Sequence, residues 1–190
     1  PEHGGTEETT LVEPFYAEEN LVNNQRFVTF LNAIREKVTV RDSTVILQGT
    51  VIFMLGEIRE GYEPIKFREG KFILQEQSTA NEPVVRVSAD GALAYARHYG
   101  RELPNTAQWL TAREQGLVAS LPLPGIQEWG TEGLGARDQV YVFENFTDES
   151  VLVCPLVRPK WEGAPHVGFR TVQTATKGDQ HSDCSLNPSP

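Results

Sequence analysis

Two cysteines, Cys154 and Cys184, are the only soft nucleophiles in this 190-residue chain. A disulfide between them would close a loop of about 31 residues and stabilise the fold by roughly 3–4 kcal/mol on chain-entropy grounds. It would imply an oxidising compartment and pin the C-terminal tail. Two free thiols, or a metal or redox role, are the other readings of the same pair. The four histidines (His3, His98, His166 and His181) are scattered, and none belongs to a His-Glu-x-x-His run. No carboxylate stands at ligand spacing to His98, so that residue is expected on a helix flank rather than on a metal. Nucleophile elbow, phosphate-binding loop and dinucleotide glycine string are all missing from the text. Binding character concentrates in residues 158–166, RPKWEGAPH, where Trp161 sits between Lys160 and Glu162 and is flanked by Pro159 and Gly163. An exposed tryptophan beside Arg158 and His166 is the kind of anchor that interfaces favour. The competing expectation is that Trp161 packs against its own loop.

Charge narrows the partners. Acidic residues outnumber basic ones 26 to 17, for a net charge of −9, which argues against nucleic acid and anionic membrane. No apolar run reaches the ~20 residues that a spanning helix needs. A chain of this length is expected to form one domain and to bury ~70% of its unfolded surface. Residues 1–10, PEHGGTEETT, carry no apolar side chain and read as a disordered polar tail. Such a leader suits a tether after a cleaved signal or lipid anchor and equally suits any frayed terminus, and a start at Pro1 without methionine suits a processed or trimmed chain. The expected domain covers residues 11–175, and residues 176–190 form a second polar tail.

The elements that must position these groups follow from periodicity. Asn23 or Asn24 caps a helix whose Phe27, Phe30, Leu31 and Ile34 repeat at i, i+3, i+4, i+7, a core stripe. Residues 38–75 read as β, with a turn at Arg41–Thr44, a β-branched run from Val45 to Leu55, a loop over 57–63 and a hairpin turning at Arg68–Lys71. Ser88 or Asp90 then caps a helix carrying Ala92, Tyr95 and Ala96, which Gly100 ends. Asn105 and Thr106 open a second helix around Trp109, and Gly116 closes it. Beyond Gly116 regular structure is expected to fade, with strands only over 139–143 and 150–157.

The wording of these segments is more specific than their periodicity. Val87, Ser88, Ala92, Ala94, Tyr95 and Ala96 resemble a V-S-W-x-x-A-x-A-Y-A signature, and Leu103, Pro104, Ala107, Trp109, Ala112, Arg113 and Gly116 resemble the L-P-T-E-A-E-W-E-x-A-A-R-G-G that follows it. Val22 to Phe30 is similar to an early V-T-N-x-x-F-x-x-F motif, Glu128-Trp129-Gly130 stands where Pro-Trp-Gly is usual, and Gly168-Phe169-Arg170 resembles a closing G-F-R. Together, across roughly residues 13–172, they resemble the formylglycine-generating-enzyme (sulfatase-modifying-factor) superfamily. The resemblance implies an α+β, C-type-lectin-like domain with short helices, small antiparallel sheets and much irregular chain.

It does not carry the activity with it. Catalytic members hold copper on a cysteine pair before the G-F-R, because soft thiolates hold Cu(I). Here only Cys154 lies in that region, and the segment from it to Gly168 is too short for the usual stretch, so no catalytic residue is carried over. The family's calcium loop corresponds to Gly133–Asn145, where Tyr141 and Asn145 replace pattern residues and Arg137 adjoins Asp138. Too few oxygens remain for a hard cation, and no cofactor is expected. Asp138 and Glu144 are expected to be solvated or paired with basic residues. The family's iron enzymes take histidines from an extra domain for which this chain has no room. The expectation is a non-catalytic binding or structural module, a subunit of an extracytoplasmic (periplasmic or secreted) protein assembly, with Arg158, Trp161 and His166 as binding candidates. A copper- or iron-dependent oxidase with a divergent site near Cys154 and His166, and a carbohydrate-binding lectin-like module, are the alternatives.

Overall fold

The computed structural model describes residues 12–117, 126–131, 139–144 and 156–175. Both polar tails, Cys154, Cys184, His3, His181 and the loop from Gly133 to Asp138 lie outside the described residues.

Helix α1 (Asn24–Ala33) starts where Asn23 turns its side-chain oxygen onto the Arg26 N–H at 2.9 Å. Its apolar stripe faces inward, with Phe27, Phe30, Leu31 and Ile34 all buried. Strands β2 (Val38–Arg41), β3 (Thr44–Leu47) and β4 (Thr50–Met54) form an antiparallel sheet. The β-branched run from Val45 to Leu55 is divided between two strands. Gln48 at φ 51 and Gly49 at φ 85 reverse the chain, the pair of positive φ values that a two-residue hairpin turn requires. Strands β5 (Ile65–Arg68) and β6 (Lys71–Leu74) make the expected hairpin. Asn32 fastens that hairpin to α1 in the manner of a neighbouring strand. Its amide nitrogen donates to the Phe72 carbonyl at 2.8 Å, and its oxygen accepts the Phe72 N–H at 3.0 Å.

Helix α2 (Ala89–His98) is capped by Ser88, which accepts the Gly91 N–H at 3.0 Å and donates its own hydroxyl to the Val51 carbonyl at 2.7 Å. One side chain thus ends the helix and docks it on β4. The approach is so close that a Cβ on Gly91 would lie 2.0 Å from the Ile52 carbonyl oxygen. Gly100, at φ +65, lets the chain leave α2 in the left-handed conformation. Helix α3 (Thr106–Glu114) begins with a reciprocal capping box between Asn105 and Gln108.

Beyond Gly116 the described residues supply a further sheet. Strands β7 (Gln127–Trp129), β8 (Gln139–Glu144), β9 (Leu156–Pro159) and β10 (Val167–Gly168) form a four-stranded sheet in the order β10-β7-β8-β9, parallel only between β10 and β7. Of the strand expected over 150–157, only its end falls among the described residues, as the start of β9. The early strand β1 (Phe15–Ala17) pairs antiparallel with β11 (Val172–Thr174), bringing the two ends of the described chain together. Helices and strands alternate without a repeating order around one core, an α+β fold. At its centre Phe27 meets Phe30, Phe53, Tyr95 and Phe169 at ring-centroid distances of 5.2–6.1 Å. Such tilted, edge-on and stacked aromatic contacts add to the area they bury.

Candidate functional site

The turn that leaves β9 and returns to β10 carries the binding candidates, and Arg158 organises it. The Arg158 guanidinium donates from Nε to the Gln127 side-chain oxygen at 2.8 Å and from Nη1 to Glu162 at 3.0 Å. Its Nη2 lies 2.6 Å from Nε2 of His166. Arginine has donors only, so in this contact the His166 Nε2 can serve only as the acceptor. The two residues that the sequence placed at opposite ends of RPKWEGAPH are therefore bonded to each other.

Backbone bonds hold the same turn against its surroundings. Ala89 N–H donates to the Lys160 carbonyl at 2.9 Å, Arg86 N–H to that of Ala164 at 3.0 Å, and Gln127 N–H to that of His166 at 2.8 Å. Gly163 is pressed so tightly that an added Cβ would lie 2.7 Å from both the Arg86 carbonyl oxygen and the Met54 side chain. Arg86 itself adopts φ 64, a left-handed backbone unusual for a residue with a Cβ. On top of this clamped loop Trp161 stays 58% exposed.

A second constellation escaped the sequence reading. Glu128 and Arg170, both 1% exposed, form a bidentate ion pair with Nε–Oε2 at 2.5 Å and Nη2–Oε1 at 2.8 Å. The remaining nitrogen, Nη1, donates to the carbonyls of Glu18 and Glu19 at 3.0 and 2.8 Å. Glu18 in turn accepts from Arg26 and Arg101 on one carboxylate oxygen and from the Thr171 hydroxyl on the other. Both Glu128 oxygens are committed to the guanidinium, which holds the carboxylate in place as a strut between β7 and the chain after β10. The available signal was that Glu128-Trp129-Gly130 and Gly168-Phe169-Arg170 were both singled out as landmarks. Their contact depends on the parallel register that sets Gly168 opposite Glu128.

Elsewhere titratable groups serve packing. Burial pushes the Tyr95 hydroxyl up to about 12, and burial together with its hydrogen bond to Glu82 does the same for Tyr62. His98 lies exposed at the end of α2, with its ring 5.4 Å from Phe30 and 4.7 Å from Tyr99, on the helix flank as expected. Tyr141, from the segment compared with a calcium loop, is an interior residue of β8 paired with Val157. Among the described residues no three His, Cys, Asp or Glu side chains gather closely enough to hold a metal ion. No helix among them is long and apolar enough to cross a membrane.

Compared with known families, residues 2–152 match the sulfatase-modifying factor enzyme 1-like domain. No curated protein matches the chain. The family match takes in both helices of the Val87–Gly116 corner and stops short of Arg158, Trp161 and His166.

Proposed function

The chain belongs to the sulfatase-modifying factor enzyme 1-like family, and on that premise we propose that it is a non-catalytic binding module whose partner is another protein. The carrying observation is Trp161, a large aromatic held 58% exposed on a turn whose neighbours are fixed. A rigid, amphipathic ring contributes contact area at little ordering cost, which is why tryptophan recurs among interface anchors. Arg158 keeps the turn in shape from below, through Gln127, Glu162 and His166. His166 offers its Nε2 to Arg158, an arrangement that supports a positioning role for it over a metal-binding one. The setting we assign is an extracytoplasmic assembly in which this chain is a subunit, and its acidic balance fits a protein partner better than nucleic acid or an anionic membrane.

Affinity purification of the chain from its native source, with quantitative mass spectrometry of what is retained, tests this reading. A fixed partner should co-purify with the wild type and be lost with Trp161→Ala, while the variant's stability stays within ~0.5 kcal/mol of wild type, as for other exposed positions. An inert monomer, or full partner retention by Trp161→Ala, would overturn it. Copper or iron bound stoichiometrically after purification would favour the oxidase reading instead.

A further inference from the structure

Between the β2–β3–β4 sheet and the β5–β6 hairpin lies an open cleft of about 340 Å³. Val40, Leu55 and Phe67 supply its apolar walls, and Ser43, Glu63, Lys66 and Arg68 supply its polar ones. That volume stands at the small end of the ~300–1,000 Å³ range of ligand pockets, which suits a molecule of monosaccharide size.

The polar groups are placed but incompletely used. Glu63 Oε1 accepts the Gly56 N–H at 3.0 Å, and its other oxygen faces Lys66 Nζ at 3.5 Å. Ser43 occupies the second left-handed position of the β2–β3 turn, at φ 63, and is fixed there by the Leu55 N–H donating to its carbonyl at 2.7 Å. Among the described residues neither its hydroxyl nor the Arg68 guanidinium has a hydrogen-bond or ion-pair partner. Two cations and one carboxylate give the cleft a local positive balance on a chain of net charge −9.

We propose that this cleft binds a small hydroxylated carboxylate of sugar-acid size. Arg68 and Lys66 receive the ligand's carboxylate, for which a guanidinium is suited by its parallel donors. The Ser43 hydroxyl and the second Glu63 oxygen take ring hydroxyls, and the apolar walls meet the C–H face. A bare inorganic anion would engage the cations and leave the apolar walls of Val40, Leu55 and Phe67 without a partner. A neutral sugar would leave the Arg68 guanidinium without a charged partner. The cleft is built from other elements than the Trp161 turn, so it stands or falls independently of the protein-binding reading.

The test is an NMR titration of the full ¹⁵N-labelled chain with D-glucuronate, D-glucose and inorganic phosphate in parallel. Saturable shifts with glucuronate are expected at Ser43, Leu55, Gly56 and Lys66–Arg68, with weaker binding of the other two. Arg68→Gln should weaken glucuronate binding by about tenfold or more, the scale of one charged hydrogen bond, and Arg68→Lys should restore part of it. Arg68 is exposed at a strand end, so both variants should keep the remaining spectrum unchanged. The proposal is overturned if glucuronate gives no saturable shift, if phosphate binds as tightly, or if Arg68→Gln binds glucuronate like wild type.

Discussion

Replacing Arg170 by methionine should be among the most damaging single changes in this protein, and the structure sets the scale. The guanidinium neutralises Glu128, which is 1% exposed, and satisfies the carbonyls of Glu18 and Glu19. Removing one partner of a buried pair leaves an uncompensated charge and costs about 3–5 kcal/mol. Set against a typical total stability of ~5–15 kcal/mol, that is a large fraction. For a chain of this size it lowers Tm on the order of 10 °C. The companion variant Glu128→Leu with Arg170→Met removes both charges and should recover much of the loss, because the burial cost of an isolated carboxylate disappears. Urea unfolding followed by tryptophan fluorescence reads both, since Trp129 adjoins Glu128 and is fully buried. A loss below about 1 kcal/mol for Arg170→Met would refute the strut argument. So would a double variant as unstable as the sum of the two singles, because coupling is what distinguishes a pair from two independent residues.

Two further outcomes follow from the packing. Gly91→Ala drives a Cβ to 2.0 Å from the Ile52 carbonyl oxygen, so α2 must lift from β4. Overpacking of this kind costs ~1–3 kcal/mol or more, and thermal denaturation showing no loss would mean that the helix moves freely. Alkaline stability depends on Tyr62 and Tyr95, each held at about 12 by burial first. An unfolded tyrosine ionises near ~10, so the folded state binds the proton more tightly. The stabilisation is complete below about pH 10 and is lost as pH rises toward 12. Denaturation midpoints measured across that window should fall for wild type and fall less for Tyr62→Phe; a midpoint that stays level from pH 10 to 12 would contradict the assignment.

Local signals account for much of the architecture. The caps at Asn23, Ser88 and Asn105, the stripe Phe27–Ile34 and the hairpin at Arg68–Lys71 were legible because each rests on residues within one or two turns of one another. The same locality made the Val87–Gly116 corner recognisable as a family signature. It also exposed the turn at 158–166, where tryptophan among charges and flanking proline and glycine leaves little chance of deep burial. The break at Gln48–Gly49 was harder to see, since the β-branched residues on both sides obscure a turn that lacks the usual asparagine or aspartate.

Three decisions belonged to tertiary structure alone. The parallel pairing of β10 with β7 joins Glu128 to Arg170 across 42 positions of sequence, and no periodicity encodes a contact of that range. Arg158 bonds to His166 because Gln127 and the backbone of Arg86 and Ala89 bend the intervening turn into a clasp. The cleft holding Ser43 and Arg68 exists only where the β2–β3 turn meets strand β5 from a different sheet. In the sequence itself, residue types specify which local elements form and which groups can do chemistry. Long-range register decides which charges are consumed as struts and which are left to meet a ligand, because the cost of burying a charge depends on what lies beside it.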